Sequence, residues 1–178
     1  MEHQPSFIQQ RTIGNLAENK IAQWLIKRGN YVLPIYDTEM ESGKGAKLLG
    51  IETYLALPDM LVIKNQHIYF VEAKHKTVFS WHRISQKWVT GIDLRHYEHY
   101  QQVAKIVPYP IWLLFLHREA HSNKRDEPYP CPTGLFGNAL SVLINCENHR
   151  HANWGKTGMV YWSHESLKLL ANLKELYP

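Results

Sequence analysis

The sequence has little cysteine and no long apolar run. Only Cys131 and Cys146 are present among 178 residues, too few for the disulfide framework of a small secreted domain. The longest apolar stretch, Ile111–Leu116, is far shorter than the roughly 20 residues that cross a bilayer. The polar start MEHQPSF also lacks the basic and apolar parts of a signal peptide. We therefore predict a cytoplasmic protein with no membrane partner.

The sequence also has no internal repeat, no low-complexity tract and no excess of acidic residues. Hydrophobic residues make up 44% and charged residues 20%, ordinary values that exclude a disordered or fibrous chain. A chain of 178 residues can bury one core, so we predict a single domain over residues 1–178. The formal charge of +4 and the eleven histidines are a mild indication of a phosphate-rich partner.

Hydrophobic spacing in the first two thirds predicts alternating helices and strands. A helix begins at the candidate N-cap Thr12 and ends at Gly29 and Asn30, and a turn at residues 64–67 joins two apolar segments into a hairpin. The predicted elements are strands over 31–36, 60–63, 68–73 and 111–116, a loop over 39–50 and a helix over 93–107, whereas 78–89 has no clear period. The strand over 111–116 is expected to be central, because both of its faces are apolar.

The last third contains a polar, proline-rich stretch over residues 121–137, which indicates a loop. Strands are predicted over 139–145 and 159–162, and an amphipathic helix over 163–176. The whole order of elements predicts an α/β sandwich in which helices flank a central mixed β-sheet.

Three ionisable residues lie at the ends of the predicted hairpin strands. Asp59 follows Pro58 at the start of one strand, and Glu72 and Lys74 are near the end of the next. Antiparallel pairing brings the two carboxylates to one end of the sheet, and a spacing of two places Glu72 and Lys74 on one face. Singly these residues are typical of a turn aspartate or an exposed ion pair. Their joint placement predicts a site.

The predicted site has the chemistry of a divalent metal centre. Carboxylate oxygens suit Mg²⁺ or Mn²⁺, and Ala73 between the charged residues offers a backbone carbonyl as a further ligand. A cation there would polarise a phosphate and acidify a water, while Lys74 would orient or help deprotonate that water and offset transition-state charge. We predict Asp59, Glu72 and Lys74 as catalytic residues, and Asp59, Glu72 and Ala73 as metal ligands.

These residues resemble the motif of the PD-(D/E)XK nuclease superfamily, which includes restriction endonucleases and archaeal Holliday-junction resolvases. The matching residues are Pro58-Asp59 and Glu72-Ala73-Lys74, with twelve residues between Asp59 and Glu72. The resemblance implies a restriction-endonuclease-like fold and Mg²⁺-dependent hydrolysis of phosphodiester bonds in DNA. It also implies a further metal ligand on the first helix, which is Glu18 here; a helical glutamate is otherwise typical of a solvated face.

The resemblance covers roughly residues 10 to 117, and residues 118–178 are predicted to be a C-terminal extension of the same domain. It includes a helix after the motif whose polar residues approach the scissile region, here the stretch 95–101. Within this stretch Arg95, Tyr97 and Gln101 are predicted to bind nucleic acid. For Tyr97 and Gln101 the alternative is ordinary packing. The Gln-x-x-x-Tyr order of the exonuclease-like branch is absent, so processive exonuclease activity is not implied.

Basic and aromatic residues alternate after the motif. Cations follow a phosphate backbone and bases stack on aromatic rings, so this stretch is predicted to bind nucleic acid. The alternative is that the tryptophans belong to the core and the lysines are solvated. The predicted contacts are Lys76, Trp81, Arg83, Lys87 and Trp88, together with Lys44 and Lys47 on the glycine-rich loop.

A zinc site is a weaker interpretation of the last third. The candidate ligands would be Cys131, Cys146, His149 and His151. Their spacing fits no standard zinc finger, and isolated cysteines are more often buried apolar residues.

The sequence thus predicts a metal-dependent DNA endonuclease. The alternative function is a module of the same fold that binds DNA ends or junctions without cutting. Many members of the family that the motif resembles are dimers, because two strands need two cuts, so a homodimer is also considered.

Overall fold

A six-stranded mixed sheet forms the centre of the protein. The structure is a computed structural model that describes residues 18–35, 46–120, 130–152 and 157–177. Neighbouring strands are antiparallel except for one central pair, the third and fourth, which is parallel. In spatial order the strands are β1 Tyr31–Pro34, β4 Met60–Lys64, β5 His67–Lys76, β8 Ile111–His117, β9 Gly134–Ala139 and β12 Lys168–Ala171.

Two smaller sheets and four helices accompany the central sheet. The antiparallel four-stranded sheet consists, in spatial order, of β10 Glu147–His151, β11 Met159–Ser163, β7 Lys87–Asp93 and β6 Ser80–His82. A hairpin is formed by β2 Lys47–Leu49 and β3 Tyr54–Ala56. The helices are α1 (residues 18–27), α2 Leu94–Ile106, α3 Leu140–Leu143 and α4 Leu173–Leu176, with a 3₁₀ turn at His164–Ser166. Within the described ranges, none of these helices is long and apolar enough to cross a membrane.

The central sheet separates two hydrophobic cores. On one face, α1 and α4 pack with Val71, Ala73 and Leu114. On the other face, α2 and the four-stranded sheet pack with Phe70 and Leu113. This division follows from the alternation of side chains along each strand. The predicted α/β sandwich, with a central mixed sheet flanked by helices, is confirmed.

The hairpin of β4 and β5 is found as predicted. Met60 lies opposite Val71, and the strands are joined by Asn65 and Gln66. Both turn residues have positive φ, 47° and 68°, which is typical of the two-residue turns whose twist matches that of the flanking strands.

Three other predicted elements are confirmed. Strand β8 is central and almost entirely buried, and β11 covers the predicted segment 159–162. Helix α2 begins after Asp93, whose carboxylate accepts the backbone N–H of Arg95 at 2.9 Å. The predicted helix start at Thr12 and the strand end at Tyr36 lie outside the described residues.

Several predicted elements are wrong. Residues 78–89 contain β6 and the start of β7, and the predicted loop over 39–50 ends in β2. The predicted strand over 139–145 is largely α3. The strand in this part of the chain is β9, which begins inside the predicted loop over 121–137. The predicted helix over 163–176 is a 3₁₀ turn, β12 and α4, because residues 168–171 pair with β9 rather than bonding along a helix.

Close packing between β8 and β9 requires a glycine at position 137. A Cβ on Gly137 would lie 2.4 Å from Leu114 Cδ2 and 2.7 Å from the Leu113 carbonyl oxygen. Glycine indicates a turn in local sequence, but in this strand it permits β9 to approach β8 closely.

We expect Gly137→Ala to reduce the free energy of unfolding by about 1–3 kcal/mol, since the added methyl group overpacks the sheet. Urea denaturation measures this change. The control is Gly50→Ala, whose new methyl group would meet Thr53 Cγ2 at an ordinary 3.4 Å. Equal stability of Gly137→Ala and the wild type would contradict this account of β9.

Candidate active site

The Asp59 side chain extends the pairing between β4 and β5. The ladder reaches Met60 opposite Val71, and two residues further along β5 the backbone N–H of Ala73 donates to Asp59 Oδ2 at 2.8 Å. The carbonyl of Asp59 accepts the N–H of Ile35 at 2.8 Å. Asp59 is therefore fixed between two neighbouring segments, with a carboxylate oxygen in the place of a backbone acceptor.

Asp59 and Glu72 lie on the same face of the sheet. Residues directly opposite in an antiparallel pair share a face, and Asp59 is one position beyond the Met60–Val71 pair. The Glu72 side chain is only 1% exposed and lies beside Leu113 of β8. The carboxylates thus point to the side of the sheet that carries α2.

Lys74 provides the positive charge of this cluster. Its ammonium forms an ion pair with Glu72 Oε1. Burial alone would lower the pKa of Lys74, but the charges of Glu72, Asp59 and Glu18 together raise it above its ordinary value. Lys74 is therefore protonated at neutral pH in this arrangement.

Two of these acids, Asp59 and Glu18, hold protons more readily than isolated carboxyl groups do. Burial raises the pKa of Asp59 well above its usual range, and the charge of Glu72 raises it further, against the opposing effect of Lys74. Burial likewise raises the pKa of Glu18, which also experiences the charges of Lys74 and Glu72. Three acids and one lysine from α1, β5 and the start of β4 share one electrostatic environment.

The donor atoms of this cluster fit a hard divalent cation. Both Glu72 oxygens are buried, and Oε1 contacts the Lys74 ammonium. Neighbouring carboxylates that are shielded from solvent gain from a cation that offsets their mutual repulsion. Oxygen ligands of this kind suit Mg²⁺ or Mn²⁺, and the carboxylates of Asp59 and Glu72 and the carbonyl of Ala73 would be the ligands that the sequence predicts.

The described residues do not contain three His, Cys, Asp or Glu side chains that converge closely enough to hold one ion. Glu18 shares the electrostatic environment of the cluster, and its role as a further metal ligand stays a prediction. The ammonium of Lys74 contacts Glu72 directly.

Two residues of α2, His96 and Tyr100, face the cluster and were not singled out from the sequence. Burial raises the pKa of Tyr100 well above its usual range, followed by the charges of Glu72 and Asp59. Burial also lowers the pKa of His96, which experiences the charges of Lys74 and Glu72. Their spacing of four residues, one helical turn, is the sequence signal that places both on one helix face.

Lys76 continues the row of charged residues along β5. It is two residues beyond Lys74 and lies opposite His117 of β8. Burial lowers the pKa of Lys76 to about 8, and the charge of Lys74 contributes. Burial lowers the pKa of His117 to about 3, followed by the charge of Lys76, and its neutral ring stacks on Phe79 at 3.6 Å.

The basic and aromatic residues of β6 and β7 are only partly available to a ligand. Trp88 packs against the core, and Trp81 contacts it edge to face at a ring distance of 5.3 Å. Lys87 forms an exposed ion pair with Glu165 at 3.1 Å. Arg83 is exposed on the turn between the strands. The alternative interpretation, that the tryptophans belong to the core, therefore applies to Trp88 rather than to Trp81.

Lys47 and Arg95 both lie close to the ring of Tyr54. Lys47 Nζ is 5.4 Å and the Arg95 guanidinium carbon 5.9 Å from the centre of the Tyr54 ring. Arg95 also donates to the Tyr54 hydroxyl at 2.6 Å. The predicted contact Lys44 lies outside the described residues.

Tyr97 is placed differently from the prediction that it contacts nucleic acid. It is fully buried, its hydroxyl hydrogen-bonds the Glu147 carboxylate of β10, and its ring packs on Trp162. Burial and the bond to Glu147 raise the pKa of Tyr97 above its ordinary range. The alternative of ordinary packing therefore applies to Tyr97, while Gln101, one turn later, is half-buried.

The residues of the zinc interpretation do not form a cluster in the described part of the chain. Cys131 is buried in the core between α2 and the central sheet. The His149 ring lies between those of His82 and Tyr161, at ring distances of 3.9 Å and 4.6 Å. These contacts account for Cys131 and His149 as packing residues.

Comparison with known proteins identifies the fold. No protein-family model matches the sequence, and a search of curated proteins finds no match. The Holliday junction resolvase Hjc of Archaeoglobus fulgidus has a TM-score of 0.50 and 8% identity, covering 86% of this chain and 90% of that one. D212, a nuclease from a fusellovirus, has a TM-score of 0.41 and 12% identity, covering 99% and 93%. The chain has the restriction-endonuclease-like fold, as the motif implied.

We expect Asp59→Asn to raise the melting temperature of the metal-free protein at pH 8 by a few degrees. The folded-state pKa of Asp59 is raised, so its ionisation opposes folding, and this loss of stability grows as the pH rises. Asparagine keeps an oxygen for the Ala73 N–H. In a chain of this size 1 kcal/mol corresponds to about 2–4 °C.

Differential scanning calorimetry with and without Mg²⁺ measures this effect. Mg²⁺ should stabilise the wild type more than Asp59→Asn, and the exposed carboxylate variant Glu119→Gln should behave as the wild type. A lower melting temperature for metal-free Asp59→Asn would contradict the electrostatic account.

Proposed function

We propose that this protein is a metal-dependent nuclease that hydrolyses internal phosphodiester bonds in DNA. The observation that carries the proposal is the position of Asp59 and Glu72, which lie on one face of the sheet beside a protonated Lys74. A buried carboxylate, a half-buried one and a cation are costly unless they bind a ligand or neutralise one another. A phosphate and a divalent cation would complete the charge balance of the site.

Each residue has a defined role in the proposed reaction. The carboxylates of Asp59 and Glu72, with the Ala73 carbonyl, would hold Mg²⁺ or Mn²⁺. When bound, the metal supplies polarisation of the phosphate and acidification of a water. Because the pKa of Lys74 is raised, we assign its ammonium to orienting that water and offsetting charge on the phosphate oxygens, rather than to removing a proton.

The proposed substrates include branched DNA. Hjc, which shares the fold, is a Holliday junction resolvase. A four-way junction is therefore an appropriate test substrate beside linear and single-stranded DNA. A junction resolvase needs two cuts, so we also propose a homodimer. The cytoplasmic location predicted from the sequence is also part of the proposal.

A second candidate function is DNA binding without cleavage. The observation that favours it is that, in the described part of the chain, three acidic or histidine ligands do not converge. Lys74 then neutralises Glu72 in place of a metal. The two functions differ in whether Mg²⁺ or Mn²⁺ produces any cut.

The decisive experiment incubates the full chain with supercoiled, linear, single-stranded and four-way-junction DNA, with Mg²⁺, Mn²⁺ or chelator. We expect cleavage that needs the metal and a loss of at least about 10²-fold in Lys74→Ala, because the charge on the phosphate is then unopposed. Product patterns on denaturing gels distinguish internal from terminal cutting.

The matched control is Lys105→Ala, which removes an exposed lysine from the last turn of α2 and should cut normally. Circular dichroism should show that Lys74→Ala retains the fold. Full activity of Lys74→Ala would refute its assignment, whereas salt-dependent binding without cutting in either metal would favour the second function.

We further propose that Lys76 contacts a phosphate neighbouring the scissile one. Lys74 and Lys76 lie on one face, roughly 6–7 Å apart along the strand, a separation comparable to that of successive phosphates in one nucleic-acid strand. Burial and the repulsion from Lys74 both disfavour the charge of Lys76. A phosphate beside it would offset both effects.

We expect Lys76→Ala to weaken DNA binding and to reduce the slope of log affinity against log salt concentration by about 1, as for one lost phosphate contact. The cleavage rate at saturating DNA should change little. Fluorescence anisotropy over a salt series measures the slope, with the exposed variant Lys64→Ala as control. An unchanged slope would remove Lys76 from the interface.

A further inference from the structure

The hairpin of β2 and β3 exposes an apolar tip. Leu49 at the end of β2 is 77% exposed, and Ile51 in the turn is fully exposed. Their neighbours along the hairpin face inward, since Leu55 is 6% exposed and Leu48 packs against the core. The hairpin is thus anchored by one set of apolar residues while Leu49 and Ile51, here called the hairpin tip, remain in solvent.

The hairpin is attached directly to the candidate active site. Its second strand, β3, ends three residues before Asp59. The backbone N–H of Ala56 donates to His99 Nδ1 of α2 at 3.0 Å, and Tyr54 accepts a hydrogen bond from Arg95. Because α2 also carries His96 and Tyr100, which face the acidic cluster, the hairpin and the site lie on the same side of the central sheet.

Positive charge surrounds the base of the hairpin. Lys47 and Arg95 both lie within 6 Å of the centre of the Tyr54 ring. Glu52, in the turn, is the acid of this hairpin. Cations beside exposed aliphatic side chains match a ligand that has both phosphates and apolar base faces.

We propose that the hairpin tip inserts between bases of DNA next to the scissile phosphate, while Lys47 and Arg95 contact the backbone. This proposal rests on the proposed nuclease function and adds how the substrate is distorted. Aliphatic wedges separate stacked bases in other DNA-binding proteins, and the unstacking is less costly where bases are already unpaired, as at a branch point. The tip therefore favours branched or distorted DNA over regular duplex.

The arrangement favours DNA over a protein as the occupant of the tip. The two exposed side chains offer far less area than the roughly 1,000 Å² that a stable protein interface buries. Continuity with the acidic cluster and the adjacent cations are features of a nucleic-acid surface.

The test uses the full chain with Lys74→Ala, in chelator, so that bound DNA stays uncut. A four-way junction and a matched duplex each carry 2-aminopurine, whose fluorescence rises when it is unstacked. We expect the Lys74→Ala protein to raise the fluorescence at the branch point. Adding Leu49→Ser and Ile51→Ser should abolish this rise and weaken junction binding about tenfold, equivalent to about 1.4 kcal/mol, with a smaller effect on duplex.

Ile106→Ser is the matched control, because Ile106 is 63% exposed at the far end of α2 and should leave both signals unchanged. Thermal melting should show that all variants remain folded. Glu52→Gln should tighten binding, since it removes a charge that repels phosphates.

The outcomes separate this proposal from the proposed function. DNA binding with no rise in fluorescence, or a rise that survives in the serine variant, overturns the wedge and leaves the nuclease proposal standing. Absence of any DNA binding overturns both. A change from dimer to monomer in the serine variant during sedimentation, with the fluorescence rise unchanged, would assign the tip to a contact between copies of the chain.

Discussion

The pairing of Asp59 with Ala73 is the contact on which the candidate site depends. A carboxylate replaces a backbone acceptor just before β4 begins, so the backbone of the neighbouring strand β5 holds the acid in place. The same register places Glu72 opposite Asp59 and, two residues on, Lys74 on the same face. A shift of one residue would turn one of these acids to the opposite core.

Burial of like charges is the second constraint on this region. The raised pKa values of Asp59 and Glu18 have burial as their first cause and the charge of Glu72 as a further one. Lys74 partly offsets this repulsion and is itself held charged by the acids. The carboxylates therefore reduce the stability of the folded protein, and the same charges favour binding of a cation. Such a loss of stability at a functional site is common in proteins.

The two faces of the central sheet differ in the charged residues that they carry. Both faces carry an apolar core, but the face packed by α2 and the four-stranded sheet also carries the charged row Glu72, Lys74 and Lys76. Helix α2 connects this row to the β2–β3 hairpin through His99 and Arg95. The face that holds the proposed chemistry thus also positions the exposed basic and apolar residues.

Local periodicity and turn residues are enough to predict the β4–β5 hairpin, helix α2, the central strand β8 and the grouping of Asp59, Glu72 and Lys74. Local patterns did not indicate β9, whose glycines permit close packing between strands, β12, whose pairing partner is distant in sequence, or the burial of Tyr97 against Glu147 of a distant strand. These features depend on contacts between residues far apart in sequence, which override local preference and become visible only in the folded chain.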